Sequence, residues 1–505
     1  MRTRLYIIAF TGGLVTLALE LAAARLLAPA FGTSELVWSA IIGLILLYLS
    51  VGYALGGRWA DRSPYPATLH TILIGAGVAI AIIPFIARPV LALAVRGVAS
   101  WDLALVAGPF IAVLVLFIAP ITLLACVSPF VIRLSLTDVR ASGVTAGKIY
   151  AVSTLGSFLG TFLPNLLLIP LLGTRRTFLM LACTITAAGL WGLWSTHRRR
   201  FWQLAWLLLV LGGLLLLDPG IIKPHAGLLY ETESTYNYIQ VVEDESGWRY
   251  LFLNEGQGIH SLYHPQALLT EGTWDYFLVA PYFNPPPHTA EQVGSLLVVG
   301  LAAGTIPAQY TAIYGPLPIT GVEIDPEILR VGREYFGMTQ PNLTTIAADG
   351  RAYLRETEAR YDVVAVDAYR LPYIPWHLTT VEFFQEIRDC LTERGVVAIN
   401  VGHTPDDWRL VAALVATMGQ VYPSVHVINI PMTFNAIVVA SVQPSTPADF
   451  RANLALLDDT YLQTVGQRAA AQLIEIAPGE PIFTDDYAPV ELLTDALVIA
   501  YFLGR

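Results

Sequence analysis

Charge is the first scarcity in this chain: 13% of its 505 residues are Asp, Glu, Lys or Arg and 55% are hydrophobic, where ordinary soluble domains carry roughly 25% charge. A protein soluble along its whole length is thereby excluded. Cysteine is scarce too. Cys126, Cys183 and Cys390 stand far apart, without the paired spacing of a zinc or redox motif, so they read as free buried thiols. Clustered Lys and Arg are missing from the C-terminal half and the net charge is −10, which argues against nucleic acid as a partner, since phosphate binding draws on grouped cations. Metal ligands are also wanting. His260 and His264 are four apart, but the run Ile259 to Pro265 does not read as a helix and no third ligand accompanies them, so no metal site is expected.

What is present is unevenly placed. Residues 1–217 are a series of long apolar runs, whereas 228–505 mix acidic and basic residues in the manner of a globular domain. A hydrocarbon core of about 30 Å needs about 20 apolar residues per helix. That ruler places spans near 5–28, 36–57, 67–87, 103–128, 145–170, 175–196 and 201–217. The first is longer than the core of a signal peptide and has no clear small-residue cleavage site, so it reads as a retained span. The expected organisation is an all-α polytopic membrane domain over 1–218, a linker and small β subdomain over 219–285, and an α/β Rossmann-like domain of class I methyltransferase type over 286–505.

One set of loops carries Arg2, Arg4, Arg58, Arg62, Arg133, Arg140, Lys148 and Arg198 to Arg200, the other Arg88, Arg96, Arg175 and Arg176. This asymmetry puts the N-terminus in the cytoplasm of a multi-pass cell-membrane protein. Seven strict crossings would then place the C-terminal half outside. A cytoplasmic C-terminal half requires instead that Phe201–Leu217, with Gly212 and Gly213 in its middle, enters the bilayer without crossing it. Two polar features interrupt the apolar runs. Gly56-Gly57-Arg58-Trp59-Ala60-Asp61-Arg62 resembles the loop after the second helix of major-facilitator transporters, and reads equally as a positive-inside anchor with a tight turn. Glu20 and Arg25 lie five apart in the first span, either as functional groups or as a pair with Arg25 reaching for the interface.

From Gly294 onward, short β-branched runs alternate with helical patterns: Ser295–Gly300, Ile319–Ile324, Thr344–Ala347, Tyr361–Val366, Val396–Val401, His426–Ile430 and Ile437–Ala440. Such alternation builds a mostly parallel sheet that binds ligands at the carboxyl ends of its strands. The first strand runs into Gly300-Leu301-Ala302-Ala303-Gly304, a turn that lets backbone approach a ligand. It lacks the third glycine of the dinucleotide fingerprint, which favours an adenosine group without a pyrophosphate. Glu323 closes the second strand, where a carboxylate accepts from both ribose hydroxyls. Asp349-Gly350 follows the third strand and Asp367-Ala368-Tyr369 the fourth. Any one of these acids reads as well as a helix cap. Their order in one sheet reads as a nucleoside site of the S-adenosylmethionine type.

With those residues in view, positions 228–495 resemble the polyamine aminopropyltransferases, the spermidine synthases, in a form fused to an N-terminal multi-pass domain. The segments Glu233 to Val241 and Trp248 to Asn254 resemble the small N-terminal β domain of that family. The resemblance implies transfer of an aminopropyl group from decarboxylated S-adenosylmethionine to a small-molecule amine, without a metal, and is compatible with a homodimer through the catalytic domain. It implies a cofactor contact at Asn237, where the family has Gln, and a catalytic role in deprotonating the amine at Asp367, the first Asp of the family loop Asp-Ser-Ser-Asp-Pro. The amine side departs from the pattern. Tyr276 in Trp274-Asp275-Tyr276 stands in place of the family's Glu, and Arg370 in place of the second Asp, so the acceptor pocket is expected to use Asp275, Tyr276 and Tyr369. The run Thr484-Asp485-Asp486-Tyr487 either supplies further amine recognition or is a solvated acidic loop, and Tyr373 to Thr380 reads as a gate whose last residue also suits a helix cap. Two other readings stay open: a methyltransferase of the same fold acting on a membrane-associated substrate, with Arg370 as partner of the cofactor carboxylate, and a transporter or sensor that binds a nucleoside or polyamine without turnover.

Overall fold

The computed structural model describes residues 2–32, 35–98, 104–136, 138–217, 220, 222–254, 256, 258–369 and 373–502. The chain divides into two compact units. One holds residues 1–224 with 231–238 and 254–256, the other 225–230, 239–253 and 257–505. The first is helical, and among its described residues six segments are long and apolar enough to cross a membrane: Thr3–Phe31, Leu36–Arg62, Pro66–Ala94, Ala107–Ser135, Ser142–Thr196 and Arg198–Leu216. These helices are compatible with a membrane domain. The fifth segment, at 55 residues, would measure about 80 Å as one helix, far more than one crossing needs. It breaks at Gly173, whose φ of 79° and ψ of 166° lie outside helical space, and the expected spans 145–170 and 175–196 fall on either side of that break.

Small residues let these helices meet closely. A Cβ on Gly156 or Gly160 would lie 2.0 Å from the Phe10 carbonyl oxygen or 2.2 Å from that of Leu14, so the Gly-x-x-x-Gly spacing fixes that helix pair. The Gly56 to Arg62 segment behaves in a related way: a Cβ on Gly56 would meet the Cys126 Cα at 2.6 Å. Asp61 pairs with Arg133 at 3.2 Å, a partner from elsewhere in the chain.

The second unit contains most of two sheets. Strands β1 (Leu228–Glu233), β2 (Tyr238–Glu243), β3 (Arg249–Leu253) and β4 (Ile259–Tyr263) form a four-stranded sheet in that order, antiparallel between β2 and β3 and between β3 and β4. The larger sheet comprises β5 (Leu296–Val299), β6 (Ile319–Glu323), β7 (Leu343–Ala347), β8 (Tyr361–Val366), β9 (Leu391–Gly402), β10 (Ser424–Asn429), β11 (Asn435–Ser441) and β12 (Leu473–Ile474). Its order is β12-β10-β11-β9-β8-β5-β6-β7. The run β9-β8-β5-β6-β7 is parallel, and β11, β10 and β12 add antiparallel neighbours. Both faces are buried, which is why these strands read as continuous apolar runs. Leu297, Val299, Val364, Val366, Val397 and Ile399 enter one core with the helices Val381–Asp389 and Arg409–Met418. Their neighbours Leu296, Val298, Val363, Ala365, Val396 and Ala398 enter the other, with Ile306 and Tyr310 of the helix Thr305–Tyr314. The architecture is Rossmann-like, as expected, and the strand order reverses between β5 and β8, which opens a crevice at their carboxyl ends.

Candidate active site

At that crevice the backbone itself sets the spacing. Gly300 follows β5 with φ +85°, and a Cβ there would lie 2.6 Å from both the Ala368 Cα and the Asp367 carbonyl oxygen. Only glycine permits this approach. Asp367 N–H donates to the Val299 carbonyl at 2.9 Å, so the ends of β5 and β8 are locked together. Gly304, with φ +92°, begins the helix Thr305–Tyr314. Gly350 lies under β5, where an added Cβ would sit 2.5 Å from Val299 Cγ1. Gly300, Glu323, Asp349, Gly350 and Asp367 are thus brought to one end of the sheet.

Glu323 is buried, and its Oε2 accepts from Ala302 N–H at 2.9 Å and its Oε1 from Asp325 N–H at 3.1 Å. Burial pushes its carboxyl up to about 7, against the pull of those two backbone donors. The carboxylate props the Gly300–Gly304 turn and keeps unused lone pairs, since it has about four. Asp349 caps the helix Gly350–Glu356 through Ala352 N–H at 2.9 Å, and its other oxygen is 3.3 Å from His377 Nε2.

Asp367 has neutral neighbours. Asn400 Nδ2, from β9, donates to its Oδ1 at 2.9 Å, and the Trp274 indole also hydrogen-bonds it. Burial raises its carboxyl to about 6, with these two donors lowering it in part. Asn400 further accepts from the Tyr369 hydroxyl at 3.1 Å through its carbonyl, while its Oδ1 is buried with no hydrogen-bond partner among the described residues. Burial keeps the Tyr369 phenol well above its ordinary range, as does the nearby Asp367 charge. Sequence reasoning gave no role to Trp274 or Asn400. The available signal was an amide in the otherwise apolar stretch Val396 to Val401.

Other expected contacts fall elsewhere. Asp275, 1% exposed, accepts from Thr270 N–H and Oγ1 at 2.9 and 2.8 Å, from Glu271 N–H at 2.8 Å and from Gln309 Nε2 at 2.6 Å. It staples the 270–272 loop, where the expected acceptor-pocket carboxylate is buried and engaged by four internal donors. Burial raises its carboxyl, and those same donors offset the rise. Tyr276 is buried beside it on the helix Thr273–Phe277. Asp485 is likewise committed within the protein. Its two oxygens accept from Arg351 Nη1 and Nη2 at 2.7 and 2.8 Å, and Oδ1 accepts from Thr380 Oγ1 at 2.7 Å. Arg351 also grips Glu386 at 2.8 Å. This holds the carboxylate below its usual range, chiefly through the Arg351 hydrogen bonds. Asp486 is exposed. Thr380 does cap the helix Val381–Asp389, accepting from Phe383 N–H at 3.2 Å. Asn237 belongs to the helical unit, where its Oδ1 accepts from Asn254 Nδ2 at 2.9 Å. Arg370 lies outside the described residues. Among the described residues no group of three or more His, Cys, Asp or Glu could hold a metal ion.

The parallel run of this mixed sheet, with the reversal between its first and fourth strands, glycine turns and strand-end acids, gives the Rossmann-like α/β fold of the methyltransferase class. Within that class, residues 309–451 match the profile of the spermine/spermidine synthase domain. The chain is 32% identical over 289 residues to a probable polyamine aminopropyl transferase of Bifidobacterium longum, covering 53% of this chain and 62% of that protein. It is 29% identical over 163 residues to the human eEF1A lysine and N-terminal methyltransferase, covering 30% of this chain and 23% of that one. Among solved structures, a probable spermidine synthase from Corynebacterium glutamicum aligns with a TM-score of 0.39 at 21% identity, over 51% of this chain and 98% of that one. The chain spans less than two thirds of the length of either curated relative. The resemblance to aminopropyltransferases read from the sequence is borne out in the C-terminal half.

Proposed function

We propose that the C-terminal unit is an aminopropyltransferase, taking decarboxylated S-adenosylmethionine as co-substrate and an amine as acceptor. The observation that carries this reading is the pairing of Asp367 with Asn400: a half-buried carboxylate beside a buried amide oxygen with no partner among the described residues suits the N–H donors of an ammonium group. Asp367 accepts one ammonium proton, and the free amine attacks the propyl carbon next to the sulfonium. The carbon–sulfur bond breaks with its electron pair going to sulfur, which leaves neutral methylthioadenosine and a secondary ammonium. Positioning and one base supply most of what this reaction needs.

Magnitudes favour the raised carboxyl. An alkylammonium ionises near 10 and an ordinary Asp near 4, so proton transfer between them is steeply uphill. Lifting Asp367 from 3.8 to about 6 recovers on the order of 3 kcal/mol of that gap. Glu323 supports the reading with lone pairs for two ribose hydroxyls, and Gly300, Gly304, Asp349 and Gly350 with a close-approaching backbone. Tyr369 and Tyr276 shape the acceptor side, while the substitution at Arg370 argues for an acceptor other than free putrescine. The apolar helices and the distribution of loop cations support a cell-membrane protein with a cytoplasmic N-terminus, and a cytosolic sulfonium co-substrate calls for a catalytic half on the same side, with 201–217 entering the bilayer without crossing it.

A methyltransferase is the second reading, favoured by the similarity to the human methyltransferase. Purified full-length protein, given each sulfonium with a panel of amines, separates the two. Methylthioadenosine is the expected product, and S-adenosylhomocysteine alone would refute aminopropyl transfer.

A further inference from the structure

We infer that the helical unit carries an amine site of its own, between the helices Arg2–Phe31 and Ser142–Leu163, where Glu20 is the countercharge for an alkylammonium group. All of its residues belong to that unit, and the chemistry assigned to Asp367 plays no part in it. A cavity of about 70 Å³ opens between these helices and their neighbours, with Gly13, Thr16, Tyr53, Ser128, Ser153 and Ser157 in its lining. Gly13 permits the close approach, since a Cβ there would lie 2.1 Å from the Ser153 carbonyl oxygen. Thr16 Oγ1 donates to the Gly12 carbonyl at 2.7 Å and Ser157 Oγ to the Gly13 carbonyl at 3.2 Å, which leaves both hydroxyl oxygens as acceptors. The hydroxyls of Ser128 and Ser153 have no hydrogen-bond partner among the described residues.

The polar lining continues along both helices. Ser153, Ser157, Thr161 and Asn165 recur every fourth residue, and Gly13, Thr16 and Glu20 share a face of the first helix. Gly156 meets Phe10 and Gly160 meets Leu14, so the two helices run the same way and Asn165 comes level with Glu20 about one turn further on. There the second helix gives way to the π-helical turn Pro164–Leu168, which packs against Arg2–Phe31; such turns are rare and concentrate at functional sites. Asn165 Oδ1 is buried with no partner among the described residues. Glu20 is half-buried and has neither hydrogen bond nor ion pair among them, because Arg25 of the same helix donates instead to the Ser234 and Tyr236 carbonyls at 2.5 and 3.0 Å. A carboxylate in an apolar bundle is costly without a partner, and the acceptors gathered around it call for a cation rich in N–H donors. Their spread decides its kind. A hard metal ion takes six or more oxygens in one shell, whereas these oxygens are strung from Ser153 to Asn165 over about 18 Å of helix, with Ala9, Leu17 and Leu49 as apolar wall. That suits ammonium groups joined by methylenes.

The test uses the full chain in detergent. A hydrophobic carbodiimide, which couples to carboxylic acids among apolar helices, is followed at Glu20 by mass spectrometry with 1,4-diaminobutane, sodium chloride or potassium chloride present at equal cation concentration. The diamine is expected to slow labelling of Glu20 about tenfold and the two salts to leave it unchanged. Asn165→Leu and Ser157→Ala should each lose that protection while Glu20 still reacts. Labelling that ignores the diamine overturns the inference, and so does equal slowing by sodium or potassium, which would make this an inorganic cation site. Because the readout sits on Glu20, amine bound at Asp367 does not enter it. Should Glu20 resist the reagent altogether, equilibrium dialysis decides: Glu20→Gln must hold one diamine fewer than the parent, and an equal number overturns the inference.

Discussion

Each unit of this protein holds an arginine in several hydrogen bonds, and the partners differ in kind. In the helical unit Arg25 donates to backbone carbonyls of a turn, which are neutral dipoles. In the α/β unit Arg351 faces two carboxylates, Glu386 and Asp485, at 2.8 and 2.7 Å. An apolar environment offers few ions, so a cation there draws on the polar groups that chain turns release. A globular interior has side chains from distant positions to choose from. Removing one partner therefore differs in cost: a carbonyl left behind is a dipole, whereas an abandoned carboxylate is a charge. Asp367 is a third case, an acid held by neutral donors alone, and so it retains its charge for chemistry.

The sharpest test of that third case is Asp367→Asn, which is expected to lower kcat/KM about a thousandfold while the chain remains folded. Because the folded state binds the proton more tightly than the unfolded chain, ionising Asp367 costs stability. That cost is absent below the unfolded value of 3.8 and complete above about 6. The amide variant is thus not the weaker fold at neutral pH: thermal melts should show it gaining on the parent at pH 8, by on the order of 2 kcal/mol, and not at pH 4. Turnover of the parent should fall as pH drops through about 6. Next in size, Arg351→Leu is expected to cost about 3 kcal/mol in denaturant unfolding. A loss under about 1 kcal/mol would break the contrast between the arginines. Gly173→Ala places a side chain at φ 79° with its Cβ 3.2 Å from Glu233 Oε2, and should cost about 2 kcal/mol, read from the melting of the purified chain. Asp61→Asn, which removes an exposed pair with Arg133, should change stability by less than about 0.5 kcal/mol.

Strand ends were legible because alternation and glycine are local properties, and Gly300, Glu323, Asp349 and Asp367 lie where that pattern puts them. The fate of the other acids was not legible. Asp275 and Asp485 carry the same side chain as Asp367, but their use is decided by Gln309 and Arg351, which lie 34 and 134 positions away. Asn400 and Trp274 escaped notice for the same reason, since an amide in a strand and an indole in a helix acquire meaning only from the acid they face. In the helical region the apolar ruler located the long segments. It could not foresee that Arg25 reaches residues 234 to 236, because nothing in an amphipathic count encodes a partner 209 or 211 positions away.

The fastening of Asp485 to Arg351 and Thr380, together with Tyr373 to Asp495 at 2.5 Å and Val381 N–H to the Phe483 carbonyl at 2.9 Å, has a consequence for biosynthesis. Chains emerge N-terminus first and their domains fold in that order. Every strand-end residue of the site is made before position 483, yet the segment that follows β8 is tied down by residues 483–495. Tyr373, Thr380 and Val381 therefore receive these fastenings only after the strands that carry Gly300, Glu323, Asp349 and Asp367 have been made.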